Sequence, residues 1–259
     1  MTLARLTLEK IAVRFGGLIA VRDLSLSLAP GEIRGLIGPN GAGKTTAVNA
    51  ISGVVPIEQG RILLDGREVS GLAPHELSRQ GIARTFQHVE AFGDMTVLEN
   101  VMIGVARHAP VSLWSAAVGT PFARRTELAY RKDALDILKL FELEGYQDTV
   151  ASELPFGLLK RMDLARALAS RPKILLLDEP TSGMSESEAD RAIQAVRRLA
   201  EQFSMTLLVI EHNMRVMMAL ADVVTVMQQG AVIAEGTPHE IQNDPVVIAA
   251  YLGDEDADA

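Results

Sequence analysis

Along the first third of the chain apolar and polar positions alternate in short runs. They read "LARLTLEKIAV", "DLSLSL", "EIRGLI" and "RILLDGREV", the last folded about an Asp65-Gly66 pair. Alternation of period two marks half-buried strands, and an Asp-Gly pair between two such runs marks a tight hairpin. The pattern predicts an N-terminal β-rich region with hairpins. From 96 to 170 the period changes to that of amphipathic helices, in "TVLENVMIGVA" and "AYRKDALDILKLFEL", with interruptions expected at Pro110 and Pro121. After 171 strands and helices alternate: "KILLLD", then "ESEADRAIQAVRRLAEQF", "TLLVIE", "NMRVMMALA", "DVVTVMQ" and a hairpin through "GAVIAEG". Such alternation predicts parallel strands joined by crossover helices, hence an α/β fold with a helical insertion in the middle third.

Composition narrows the class. A chain of 259 residues that is 48% hydrophobic and 22% charged can bury a large core. Apolar runs such as "ILLL" at 174 to 177 and "TLLVI" at 206 to 210 fall far short of the roughly 20 residues of a membrane-spanning helix, and Asp222 interrupts the longest late stretch. The N-terminus alternates like a strand and lacks the apolar core of a signal peptide, so a cytosolic protein is expected. Without cysteine, thiol nucleophiles and Cys-ligated metals are excluded. The formal charge of −8 argues against nucleic acid as a partner. Part of that charge sits in Asp254, Glu255, Asp256 and Asp258, which read as a solvated acidic tail over 254–259.

Candidate chemistry begins with "GLIGPNGAGKTT" at 35 to 46, which holds G-x-x-x-x-G-K-[ST] at Gly38, Gly43, Lys44 and Thr45. An apolar strand precedes it and a helix, "TTAVNAISG", follows. In such a loop the backbone from Gly38 through Pro39, Asn40, Gly41, Ala42 and Gly43 curls around phosphates, and Lys44 reaches the β- and γ-phosphates. The Thr45 hydroxyl ligates Mg²⁺, and Thr46 beside it belongs with the nucleotide-binding residues. Downstream, "ILLLDEP" at 174 to 180 is a buried strand ending in two carboxylates. Two acids at a strand end alone would read as a solvated turn. Given the phosphate loop, Asp178 is assigned to the Mg²⁺ shell and Glu179 to polarising the attacking water, which favours an ATPase over a kinase.

With "GPNGAGKTT", "ILLLDEP", Gln87 in "TFQ", His212 in "VIEHNM" and "SELPFGLLKRMDLARAL" at 152 to 168 in this order, the chain resembles the ABC-type ATPases over its length. The resemblance implies a P-loop cassette with a RecA-like core, an N-terminal antiparallel β subdomain and an inserted helical subdomain over about 90–170. The whole would form a single nucleotide-binding domain over 1–253. It further implies that Phe15 stacks on adenine, that Gln87 senses Mg²⁺ and the attacking water, and that His212 contacts the γ-phosphate. Read alone, Phe15 would be core packing, Gln87 a solvated loop residue and His212 a helix start beside Asn213. His75, His88, His108 and His239 have no metal-ligand spacing and read as surface residues.

The stretch at 152 to 168 then occupies the family's signature position, usually LSGGQ, which acts on nucleotide bound by a second cassette. Pro155 stands for its serine, Phe156 for the first glycine and Leu158 for the glutamine, while Gly157 remains to meet the partner's ATP in trans. Leu159 is the less usual choice at its position. A helix start still offers backbone donors, so loss of one hydroxyl predicts weakening rather than abolition. In "SGMSESE" at 182 to 188, Ser185 stands where the family commonly has aspartate.

Finer similarity, in "RFGGLIAVRDLSLSL", the proline-interrupted 106 to 126 segment and "IAEGTPHEIQNDPVVIAAYLGDE", points to the LivG-type branch serving branched-chain amino-acid importers. Relatives in that branch serve urea, amides or other hydrophobic amino acids, lipopolysaccharide exporters share the "YLG" ending, and a cassette has no pocket for the solute. The resemblance implies ATP and Mg²⁺ as cofactors and a second ATPase subunit, in a heterodimer. Two polytopic permease subunits, an indirect solute-binding protein and a cytoplasmic position on the inner face of the membrane complete the expectation. A non-transport ABC ATPase is the alternative. A P-loop kinase or GTPase lacks support, because the chain carries no N-K-x-D motif and Glu179 suits water as the nucleophile.

Overall fold

A computed structural model describes residues 5–85, 91–106 and 121–255, with side chains of 121–124 and 252–255 left aside. Gln87, Pro110, His88, His108, most of the 106 to 126 segment and residues 256–259 lie outside the described residues. Two compact units are present. One takes the chain up to Arg84, then Pro172–Pro180 and everything from Ala200 onward; the other takes Thr85–Arg171 and Thr181–Leu199.

The first unit contains two sheets. In the four-stranded one, β1 (Leu6–Phe15) and β2 (Leu18–Leu28) form an antiparallel hairpin. β4 (Gln59–Leu64) pairs with β1 and, through the Asp65-Gly66 turn, with β5 (Arg67–Glu68), giving the order β2-β1-β4-β5. Asp65 tolerates its positive φ of 49° at this turn, where its carboxylate takes bonds from Arg5 and Lys173 at 2.9 and 2.8 Å. The alternation in β1 is visible as burial: Leu6, Leu8, Ile11 and Val13 are inside.

The second sheet runs β10-β9-β3-β8-β7-β6, with β3 (Ile33–Ile37), β6 (Ile82–Arg84), β7 (Ile174–Asp178), β8 (Thr206–Ile210), β9 (Val223–Gln228) and β10 (Ala231–Gly236). All its pairings are parallel except β10 with β9. Every residue of β3, β7 and β8 is buried, as parallel strands covered on both faces must be. The run "EIRGLI" therefore does not extend the N-terminal sheet that its position in the chain suggests; β3 pairs with β8 and β9 from the end of the chain. Sequence pattern also passed over β6 and the short helix before it. The helix α1 (Lys44–Ile51) buries Ala47, Val48, Ala50 and Ile51 in one core with Leu6, Ile11 and Leu26 of the first sheet and Leu36, Leu176 and Leu208 of the second. Helix α2 (Pro74–Gln80), with β6 directly after it, lies between the two sheet-forming stretches of sequence and was too short to show a period.

In the second unit α3 (Val97–Ala106) packs against α4 (Pro121–Leu140) and α5 (Phe156–Ala169). Pro121 opens a helix rather than only interrupting one, at the position where a missing N–H costs nothing. Gly104 lets α3 approach α5: a Cβ there would stand 2.2 Å from the Arg166 carbonyl oxygen. Helix α6 (Glu186–Phe203) opens with Glu188 accepting from Ser185 N–H and Oγ at 3.0 and 2.6 Å. The same S/T-x-x-E arrangement joins Thr96 to Glu99, and in the first unit Thr237 to Glu240. Helices α7 (Met214–Leu220), α8 (Pro238–Gln242) and α9 (Pro245–Glu255) complete the chain, α9 running through Asp254 and Glu255.

Candidate functional site

β3 ends at Ile37 and α1 begins at Lys44, so 38–43 is a loop between a buried strand and a helix N-terminus. Its course depends on glycine. Gly38 has φ +149° and a Cβ there would lie 2.0 Å from the Met227 carbonyl oxygen; Gly43 has φ +96° and its Cβ would lie 2.4 Å from the Ala20 oxygen. Both carbonyls are backbone and cannot step aside, so only glycine fits the loop against β9 and β2. Lys44 Nζ curls back to donate to the carbonyls of Gly38 and Pro39 at 2.7 and 2.8 Å.

The loop forms one wall of a cavity of about 650 Å³. Asn40, Gly41, Ala42, Gly43, Lys44, Thr45 and Thr46 line it, together with Phe15 from the end of β1 and Glu179 from the end of β7. Phe15 is half exposed, at 50%, an aromatic face at the end of its strand rather than a core residue. A helix start beside backbone donors, an ammonium and two hydroxyls suits an anionic, polyphosphate-like ligand, and the aromatic ring suits a planar group.

At the end of β7 the two acids diverge. Asp178 is buried and takes a bond from Arg84 Nη2 at 3.0 Å. Glu179 leaves the strand in the left-handed region, φ +47°, with its N–H held by the Ile210 carbonyl at 2.9 Å. A non-glycine residue in that conformation is strained, and such strain gathers at working sites. His212 Nδ1 lies 3.6 Å from Glu179 Oε1, its side chain 70% exposed. The cap of α7 is Asn213, whose Oδ1 accepts from Arg215 and Val216, which leaves His212 outside the helix and facing outward. Tyr251 in α9 meets the same loop: burial raises its phenol pKa, and a hydrogen bond with the Gly38 backbone works against that shift. Pattern alone had given no reason to single out Tyr251 or Arg84, since a lone tyrosine and a lone strand-end arginine carry no spacing signal.

In the second unit, Pro155 is the N-cap of α5 and supplies no side-chain bond, though its carbonyl accepts from Leu159 N–H at 3.0 Å. Phe156 is 53% exposed and its ring fills the space beside Gly183, while Leu158 is buried at 8%. The nearest atoms to a Cβ on Gly157 would be the Glu188 carboxylate oxygens, at 3.5 and 3.8 Å. Ser185 is occupied in holding that carboxylate, and its hydroxyl and N–H keep the Glu188 pKa below the ordinary value of 4.5. His75 and His239 are exposed, and no cluster of three or more metal-ligating side chains occurs among the described residues.

Comparison with known proteins agrees with this architecture. A family model described as ABC transporter matches residues 21–182, and one described as Branched-chain amino acid ATP-binding cassette transporter matches residues 231–257. Over 249 residues, 96% of this chain and 98% of the relative, the chain is 38% identical to the high-affinity branched-chain amino acid transport ATP-binding protein BraF of Pseudomonas aeruginosa. Over the same shares it is 39% identical to the corresponding protein LivG of Escherichia coli K12. The crystal structure of the ADP conformation of an ATP-binding cassette of an ABC transporter superposes with a TM-score of 0.81 at 32% identity, covering 97% of this chain and 100% of that one. The P-loop α/β core, the antiparallel β sheet and the helical insertion are thus those of a known cassette, and the chain belongs to the ABC transporter family as one of its ATP-binding cassettes.

Proposed function

We propose that this chain is the ATP-hydrolysing subunit of an ABC importer for branched-chain or related hydrophobic amino acids. The observation that carries the reading is the shared cavity of the glycine loop, Lys44, Phe15 and Glu179. The solute class is supported by the named relatives and by the C-terminal match over 231–257.

The residues present fit ATP and Mg²⁺. The loop lines the cavity from Asn40 to Thr46 at the start of α1, where backbone donors suit phosphate oxygens, and the Thr45 hydroxyl with the Asp178 carboxylate is a hard-oxygen donor set suited to Mg²⁺. When bound, Mg²⁺ neutralises charge on the phosphate oxygens. Lys44 and the 38–46 backbone hold the β- and γ-phosphates, and Phe15 stacks on adenine. Glu179 accepts the proton of the attacking water, His212 holds the γ-phosphate end of the site, and Gln87 reports its state. Gly157, at the start of α5, serves the ATP of a second cassette.

In this reading 1–253 is a single nucleotide-binding domain with a helical subdomain over about 90–170. It pairs with a second ATPase subunit as a heterodimer and docks two polytopic permease subunits, which receive solute from a binding protein. No helix among the described residues is long and apolar enough to cross a membrane, in keeping with a peripheral subunit held to the cytoplasmic face by its permeases. The test is co-expression with candidate permease and ATPase partners, followed by uptake of labelled leucine into vesicles. ATP-dependent uptake that is lost with Lys44→Ala supports the reading. A chain that hydrolyses ATP but joins no membrane subunit would move it to the non-transport ABC ATPases.

A further inference from the structure

Arg84, the last residue of β6, has a side chain only 8% exposed, and its guanidinium joins two parts of the candidate site. Nη2 donates to Asp178 Oδ2 at 3.0 Å. Nη1 donates to Asn49 Oδ1 at 2.5 Å and to Ser52 Oγ at 3.0 Å. Asn49 lies in α1 and Ser52 caps its C-terminal end, the Ser52 hydroxyl being held in turn by its bond to the Val48 carbonyl at 2.8 Å. One side chain therefore ties the acid at the end of β7 to the helix that begins with Lys44 and Thr45. The partners are distant in sequence, 94 residues separating Arg84 from Asp178 and 35 separating it from Asn49.

Stability alone does not account for this pair. Burying two charges costs solvation that their attraction often fails to recover, and well-packed apolar residues of similar volume commonly serve as well or better. A forked guanidinium does supply what an apolar residue cannot, which is orientation: it grips a carboxylate oxygen with one arm and fixed acceptors with the other. A carboxylate gripped in this way is restrained from rotating about its Cβ–Cγ bond. Mg²⁺ demands near-ideal octahedral geometry, so a freely rotating ligand serves it poorly.

We propose that Arg84 is a positioning residue for the metal carboxylate, holding Asp178 in fixed orientation relative to the α1 helix that carries Thr45. The proposal rests on the assignment of Asp178 to Mg²⁺ made above. It predicts that Arg84 governs the share of nucleotide affinity that depends on Mg²⁺, and leaves the share supplied by the loop and Lys44 alone.

The experiment measures binding of a fluorescent ATP analogue to the full-length chain, once with saturating Mg²⁺ and once in EDTA. Arg84→Met should shrink the Mg²⁺-dependent gain in affinity about ten- to hundredfold, the usual cost of losing a group that orients a metal ligand, with affinity in EDTA unchanged. Arg84→Lys keeps the charge without the fork and should recover only part of the gain. Asn49→Ala, which loosens the far end of the strap without touching Asp178, should shift the gain in the same direction by less. Equal losses in Mg²⁺ and EDTA, or an unchanged gain, would overturn the proposal. Should Arg84→Met not fold, an unchanged gain in both Arg84→Lys and Asn49→Ala overturns it as well. Asp178→Asn separates the two levels. If it keeps the gain, the metal assignment itself falls and the proposal with it; if it loses the gain while the Arg84 and Asn49 variants keep it, only the positioning role falls.

Discussion

Phe156 stands where the family's signature carries a glycine, and its ring lies against Gly183 in the turn after β7. A Cβ added to Gly183 would meet Phe156 Cε1 at 2.4 Å and Cδ1 at 2.7 Å, and Gly183 has φ +77°. Gly183→Ala therefore incurs two separable costs. An L-residue in the left-handed region costs about 1–2 kcal/mol whatever its surroundings. The overlap lies more than 1 Å inside the roughly 3.5–4.0 Å of ordinary carbon contact, so the ring must swing away. Because Phe156 is 53% exposed it has room to move, which puts this second cost at about 1 kcal/mol, the low end for overpacking. The single variant should lose about 2–3 kcal/mol in all. Phe156→Gly removes the ring and hence the overlap, while the backbone cost at residue 183 remains. In the double variant Gly183→Ala should then cost about 1 kcal/mol less than it does alone. Urea unfolding of the four proteins, followed by circular dichroism, measures this coupling. Additivity to within about 0.3 kcal/mol would show that the ring does not rest on Gly183, and would refute the view that the altered signature residue packs on the turn following the ATPase strand.

Glu179→Gln should retain binding of ATP while turnover in the assembled transporter falls about 10²- to 10⁴-fold, the range for loss of a general base; near-wild-type turnover would remove Glu179 from that role. Gly157→Asp would set a second carboxylate beside Glu188, whose oxygens lie 3.5 and 3.8 Å from the new Cβ, and should disable nucleotide at the partner's site; loss at this chain's own site with the partner's intact, read by site-resolved occupancy, would reverse the trans assignment. Glu99 and Glu240 have pKa values lowered from 4.5, first by backbone bonds from Thr96 and Thr237 and then by the hydroxyls of the same residues. A depressed folded-state value gives stability that is fully present above the unfolded pKa and lost as pH falls through the folded one. The Tm deficit of the Glu99→Gln, Glu240→Gln double variant should accordingly be full at neutral pH and close as pH drops below 4.5; a deficit constant with pH would mean that the carboxylate charge is not its source.

Features written in neighbouring residues were legible from the chain alone. "GPNGAGKTT" names its loop because strand, glycines, lysine and helix follow one another directly, and the apolar runs "ILLL" and "LLVI" name buried strands because strands covered on both faces read as near-continuous apolar runs. The Asp65-Gly66 hairpin formed for the same local reason, a backbone turn that those two residues favour. Pairings made across the chain were not legible. "EIRGLI" alternates and hairpins lie on either side of it, yet β3 joins strands from the end of the chain, since parallel partners are chosen by the packing of crossover helices and leave no mark on the strand itself. β6 is three residues long, too short for any period. Arg84 becomes the strap on Asp178, and Phe156 the cover on Gly183, only when segments far apart in sequence are folded together. Local spacing fixes backbone conformation and burial through short-range sterics and hydrophobic pattern, whereas the partner of a guanidinium or an aromatic ring is set by the three-dimensional packing that brings it there.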